Sequence, residues 1–407
     1  MMKRYAYLLT IAIFAGIFFT ACDEDDPIIG GGDDITITDI KVNGMDKDYG
    51  MMGDTITIEG ALFGLNEGVV SLVNDDTSDS PETIIPLEWM DGEITFIIPD
   101  GNPDGKYTIT VTNDVSNESI AQDFYITSGP MMVEGVVAIP TSSTSVKVWW
   151  PAGPQDDWAI FDSYYVSDGQ TGSAAIEVTN TDENSYEFTG LTEGQVYTFS
   201  VYAQFNDEEV SDPAEVMSSP ATRFDNMGGE DIIIFTSSTT EGGSGLDLYD
   251  AVTDGPKVLE VVNGAQWNVG FEDKTSGVLK FGSASELEYN IQPQASAEMM
   301  MDPAGSNTVA YAEVMDLNDP NGVWGNLELG MTYMPSFLDL ETVVTDSEGV
   351  VVACRVPAGN SYNYARVFIK RNSEQNSWTF NSEDGAGTYI WVTVSYQKAA
   401  GTPYAGQ

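Results

Sequence analysis

The chain has 407 residues, with 64 acidic against 15 basic side chains, a formal charge of −49 and no histidine. At roughly 100–200 residues per domain, this length predicts two to four domains, and 42% hydrophobic with 11% aromatic content is enough to fill their cores. So negative a chain repels phosphate backbones, which excludes nucleic acid as a partner. The lack of histidine excludes Ser–His–Asp and Cys–His machinery and any His-ligated zinc.

Hydrolysis would need paired carboxylates, Lys, Tyr or a metal held by oxygen ligands. The acidic surface attracts divalent cations and suits a neutral or cationic partner, although solubility or salty surroundings account for it equally well.

Met1-Met2-Lys3-Arg4 is a short basic start, and residues 5–19 form an apolar run of signal-peptide length. That run is shorter than the roughly 20 residues a membrane span needs. Phe19-Thr20-Ala21-Cys22 follows, with small residues before a cysteine. This resembles a bacterial lipobox, with Phe19 standing where leucine is usual. The resemblance implies cleavage after residue 21 and a lipid on Cys22; an ordinary cleaved signal with a chance cysteine is the alternative. Loss of residues 1–21 removes two basic and no acidic side chains, leaving the mature chain near −51.

Asp23-Glu24-Asp25-Asp26 resembles the acidic export signal of Bacteroidota lipoproteins. That implies an outward-facing protein, lipid-anchored on the cell outer membrane. Residues 22–34, with their Gly30-Gly31-Gly32 run, form an acidic Gly-rich tether. With Cys22 lipidated, Cys354 has no partner for a disulfide. It lies in the apolar run 350–356 and reads as a small buried hydrophobe.

Within residues 35–128, the run 53–60, GDTITIEG, alternates with period two, 94–99, ITFIIP, is a second strand, and Tyr107, Ile109 and Val111 share a face of a third. Close strands with Gly/Asp/Pro turns mean a small sandwich. The order of these segments resembles IPT/TIG domains, an immunoglobulin-like family, which implies a spacer or interaction module without catalytic residues. Residues 100–105 match the first half of a calcium loop. Val111 stands where the bidentate Glu belongs, so the stretch reads as a turn.

In residues 129–223, Val146, Val148 and Trp150 share one face, with Lys147 and Trp149 on the other. Leu191, Gly194 and Tyr197 follow as L-x-x-G-x-x-Y. This resembles a fibronectin type III domain. The resemblance implies that Trp150 is the core tryptophan and that the Tyr197 hydroxyl bonds backbone at a corner. Trp149 reads as an outward rim residue.

Residues 224–407 are too many for one immunoglobulin-like unit. Short strand-like runs recur at 232–235, 258–262, 267–271, 287–291, 309–315, 327–333, 350–356, 364–370 and 389–396, with no convincing amphipathic helix. They predict a larger, jelly-roll-like β-sandwich, making the whole chain all-β with tandem immunoglobulin-like sandwiches ahead of it.

In 389–396, Ile390, Val392 and Val394 share a face opposite Tyr389, Trp391, Thr393 and Ser395. In 364–370, Ala365, Val367 and Ile369 oppose Tyr364, Arg366, Phe368 and Lys370. A face that pairs flat rings with hydrogen-bonding groups suits sugars, whose C–H side stacks on the ring. The competing expectation is that these rings pack under loops or a neighbouring domain. Trp267, Trp324 and Trp378 lie among Asn and Gly, either as loop platforms or as core anchors. Asp316, Asn318, Asp319 and Asn321 cluster oxygen ligands for a structural calcium; Pro320 breaks the spacing, and a plain turn is the other reading.

The layout resembles accessory surface glycan-binding proteins of polysaccharide-utilisation systems. It implies a non-catalytic binder of polysaccharide or another cell-surface ligand, with neighbouring outer-membrane uptake proteins as partners. An adhesin or other protein-binding component is the alternative, and a carboxylate-based glycoside hydrolase the second alternative.

Overall fold

The computed structural model describes residues 34–75, 80–171, 173–178, 184–236, 243–260, 267–273, 278–287, 296–302, 308–312, 326–327, 331–345, 347–383 and 387–405. It is all-β, apart from single 3-10 turns at Ala284–Glu286 and Leu340–Thr342 among the described residues. Tandem β-sandwiches carry the chain, in two compact units that meet at residues 125 and 126.

The first unit pairs two five-stranded sheets. One runs Met45–Asp46, Thr36–Val42, Thr55–Ala61, Glu93–Ile97, Glu88–Met90; the other runs Tyr49–Gly50, Ser119–Ile126, Gly105–Thr112, Val69–Asn74, Glu82–Ile84. Alternation decides which side chains go inward: Ile56, Ile58, Ile94 and Phe96 from the first sheet are buried, as are Tyr107, Ile109 and Val111 from the second. Residues 100–105 are the turn before this last strand. Asn102 Nδ2 donates to Glu82 at 3.1 Å, and the Tyr107 hydroxyl donates to the Pro103 carbonyl at 2.8 Å. Gly60 is required by close approach, because a Cβ there would lie 2.0 Å from the Thr36 carbonyl oxygen.

The second unit opens with a seven-stranded sandwich. Val137–Ser142, Ser145–Trp149 and Ser185–Thr189 face Ile176–Val178, Phe161–Ser167, Tyr197–Phe205 and Ala214–Ser218. Val146, Val148 and Trp150 are fully buried, with Tyr164 edge-on to the indole at 5.4 Å. The Tyr197 hydroxyl accepts the Thr192 backbone N–H at 2.9 Å, closing the corner expected from L-x-x-G-x-x-Y.

The C-terminal sandwich sets a nine-stranded sheet against a five-stranded one. The smaller sheet runs Gly255–Leu259, Gly245–Asp250, Val269–Asp273, Leu279–Ser283, Phe337–Asp339. In the larger, Thr388–Tyr396 lies between Glu230–Phe235 and Ser361–Lys370, and Gly349–Ala358 follows. One core joins the two sheets: Leu246, Phe271 and Phe281 meet Ile234, Val352, Val367 and Val392.

Each edge of Thr388–Tyr396 is shared end to end by two partners. On one side Thr222–Phe224 pairs with 394–396 and Glu230–Phe235 with 389–392. On the other, Ser361–Lys370 pairs with 392–396 and Phe380–Asn381 with 388–389. Residues 222–223 therefore join the terminal sheet, although they fall within the stretch 129–223 assigned to the preceding module. Among the described residues, no helix is long and apolar enough to cross a membrane.

Candidate functional site

The predicted alternation in the terminal sheet holds on its inner side. Ile390, Val392, Val394, Ala365, Val367 and Ile369 are all within 1% of complete burial. The outer side divides into a covered end and a half-open end.

At the covered end, Tyr364 is 1% exposed and Arg366 3% exposed, which removes both from a ligand surface. The Arg366 Nη1 donates to the Ala405 carbonyl at 2.7 Å, beneath the chain that returns over the sheet after its last strand. Burial pushes the Arg366 pKa down to about 10, so its guanidinium stays charged at neutral pH. Tyr364 packs with Met300, Leu327, Ala353 and Ala405 and lies edge-on to Tyr333 at 6.1 Å. These positions follow the competing expectation of rings packed under polypeptide.

Two of the loop tryptophans are also core residues. Trp267 is fully buried with Ala284 and Leu287. Its indole fills space left by glycines, because a Cβ on Gly245 or Gly270 would come within 2.9 Å of the ring. Trp378 is 5% exposed in the main inter-sheet core. Trp324, Cys22 and the set Asp316, Asn318, Asp319 and Asn321 lie outside the described residues. Among the described residues, no group of three or more Cys, Asp or Glu side chains is placed to hold a metal.

The half-open end keeps Tyr389, Trp391, Thr393, Phe368 and Lys370 half-buried. Its geometry follows from the change of strand partner. Ser361–Lys370 leaves the ladder where Ile369 pairs with Val392, and Phe380–Asn381 takes over where Phe380 pairs with Tyr389. The chain between them, residues 371–379, must loop out and back. It leaves a recess of about 380 Å³ lined by Lys370, Arg371, Asn372, Gln375, Phe380 and Tyr389, among others. That volume lies in the ~300–1,000 Å³ range of small-molecule sites.

The rings at the recess are mutually braced. Phe380 stacks on Tyr389 at 5.6 Å and 15°, meets Trp391 edge-on at 6.0 Å, and Phe235 flanks Tyr389 at 5.6 Å. The Lys370 ammonium lies 3.9 Å from the Trp391 ring centre.

The loop is held by its own polar groups. Asn372 Nδ2 donates to the Thr379 carbonyl at 3.1 Å, and Ser377 Oγ donates to the same oxygen at 2.9 Å. The Arg371 guanidinium donates to the Thr345 carbonyl and to Asn376 Oδ1. A braced recess of this kind keeps low the ordering cost that a ligand must offset. Sequence reasoning missed Phe380, Arg371, Asn372 and Gln375. One signal was available: Lys370-Arg371 and Lys3-Arg4 are the adjacent basic pairs of this acidic chain.

Comparison with known proteins matches residues 131–217 to the fibronectin type III domain, so that domain is present in the second unit. Exoglucanase B of Cellulomonas fimi is 28% identical over 151 residues, which span 37% of this chain and 13% of that protein. Among solved structures, the FN1–FN3 domains of chicken CNTN1 are 10% identical, cover 80% of this chain and 94% of that one, and score a TM of 0.31. A two-domain fibronectin type III segment of chicken tenascin is 15% identical, covers 46% and 99%, and scores 0.25. TM-scores this low carry no weight for domain arrangement or function.

Proposed function

We propose that this chain is a non-catalytic cell-surface lipoprotein that binds polysaccharide through the recess of its C-terminal sandwich. In this reading a lipid on Cys22 holds it on the outer membrane, and two immunoglobulin-like modules separate anchor from binding domain along the chain. One observation carries the proposal: Tyr389 and Phe380, with Trp391 packed against Phe380, meet amide, hydroxyl and basic groups at a half-open recess. The braced rings offer apolar surface to sugar C–H groups, while Asn372, Gln375 and Asn381 supply donors and acceptors for hydroxyls. The partial similarity to an exoglucanase supports a carbohydrate setting.

The test is retardation of the purified chain in native gels cast with a panel of polysaccharides. Retardation on at least one polymer, lost in Trp391→Ala with thermal stability retained, is the expected result. Reducing-sugar release in the same mixtures would replace this reading with a carboxylate-based hydrolase.

Exposed apolar side chains on the first unit favour a second reading, a protein-binding adhesin. Leu65 is 89%, Ile85 83% and Leu87 64% exposed. Failure of every polymer to retard the chain would move the assignment there.

A further inference from the structure

Six of the described basic side chains find a carboxylate. Lys41, Lys106, Arg223, Lys257, Arg355 and Lys398 each close on Asp or Glu within 3.3 Å. Among the described residues, Lys370 and Arg371 close on none. Lys370 lies over the Trp391 ring, and Arg371 spends its guanidinium on two neutral oxygens, the Thr345 carbonyl and Asn376 Oδ1. Both line the recess, together with a single described acid, Glu374. The recess is thus locally cationic in a molecule whose formal charge is −49.

We infer that the recess recognises an anionic saccharide, one bearing a carboxylate or a sulfate ester, with Lys370 and Arg371 as its charge-reading residues. The inference rests on the glycan-binding reading of the same recess and names the class of sugar.

The whole-chain charge alone favours a neutral or cationic partner, so range decides between the two effects. At about 0.15 M salt, charges beyond a screening length of roughly 8 Å are largely hidden from one another. An anion seated against Lys370 feels the nearby ammonium at contact distance, and most of the acidic surface lies beyond that length. Hydrogen bonds to a charged donor are also roughly twice as strong as neutral ones. Asn372 and Gln375 then read neighbouring hydroxyls, and the rings hold the sugar's apolar face.

The experiment uses the purified full chain at physiological salt in affinity gels. The anionic probes are polygalacturonate, alginate and chondroitin sulfate. Methyl-esterified polygalacturonate and a neutral glucan are the uncharged counterparts. The expected result is retardation by at least one anionic polymer, at least tenfold weaker on its uncharged counterpart. Lys370→Gln, which removes the charge and keeps a polar head, is expected to weaken that binding about tenfold. Arg371→Gln should weaken it as much, and Lys370→Gln covers the case in which loss of the Arg371 bonds loosens the loop.

Retardation by carboxylate polymers alone assigns a uronate; by chondroitin sulfate alone, a sulfated sugar. Equal retardation by polygalacturonate and its methyl ester, or by the neutral glucan only, overturns the charge inference and leaves glycan binding standing. No retardation on any of the polymers overturns both.

Discussion

Asp247 sits half-buried on the strand Gly245–Asp250, its carboxylate accepting the Tyr249 backbone N–H at 3.3 Å. Beside it Tyr249 and Tyr396 stack at 5.0 Å. Loss of water raises its pKa to about 6. The Tyr249 N–H and the Lys257 ammonium act in the opposite direction, and Asp250 reinforces the rise. The sign of its effect on stability follows. Below the unfolded value of 3.8 the group is neutral in both states and costs nothing. As pH rises through about 6 the folded chain must hold an anion that its surroundings disfavour, so stability falls across that window. Asp247→Asn keeps the acceptor and removes the charge. Its melting temperature should equal that of the parent near pH 3.5 and exceed it at pH 7.5; an equal or lower value at pH 7.5 would show that the carboxylate is not penalised. Cys354 obeys the same physics as a thiol. Fully buried between the sheets, it is pushed up to about 12 by desolvation, which makes it the inert small hydrophobe expected from its apolar run.

The elements that join the fibronectin type III domain to the terminal sandwich make them one body. Thr222–Phe224 extends the larger sheet, and Gln397, fully buried, donates from Nε2 to the Ser219 carbonyl at 2.9 Å and the Tyr404 carbonyl at 2.8 Å. Lys398 bridges Glu193 at 2.6 Å and Asp254 at 2.7 Å. Gln397→Ala leaves these carbonyls buried and unpaired, at about 1–3 kcal/mol for each such group. Hydrogen exchange should then show Ser145–Trp149 and Thr388–Tyr396 losing protection together; loss confined to the terminal strand would mean that the junction transmits nothing. The strands that could be read from the sequence are those whose inward residues alternate over five or more positions, such as Ser145–Trp149 and Tyr197–Phe205. Gly245–Asp250 and Leu279–Ser283 escaped because Asp or Gly breaks their apolar pattern, and Glu298–Met301 and Phe337–Asp339 because they are only four and three residues long. The site was half readable for a related reason. Alternation told which side chains leave the sheet at Tyr389 and Trp391. What lies over them depends on residues distant in sequence, such as Ala405 above Arg366, and no local spacing encodes that.

At the scale of the molecule, 64 acids against 15 bases impose a self-repulsion that the few ion pairs do not cancel. Its reach depends on salt. At about 0.01 M the screening length is about 30 Å, close to the diameter of one of these modules, so acids repel across a whole sandwich; at about 0.15 M it is about 8 Å and only neighbours do. Adding sodium chloride across that range should therefore raise the melting temperature, by about 4–8 °C for each kcal/mol of repulsion relieved in a module of about 100 residues. The contacts that salt would weaken, such as Lys398 with Glu193, are held at 2.6 Å with both side chains at least three-quarters buried, and are screened less than the open surface. A melting temperature that falls with salt would reverse this ranking and make ion pairs the dominant electrostatic contribution. The same change of range governs the recess. An anionic polymer approaching in dilute salt meets the field of the whole acidic chain, whereas near 0.15 M it meets mainly what lies within a few ångströms of Lys370. Its binding should therefore strengthen on going from about 0.01 M to about 0.15 M salt, opposite to the usual trend for a cationic site.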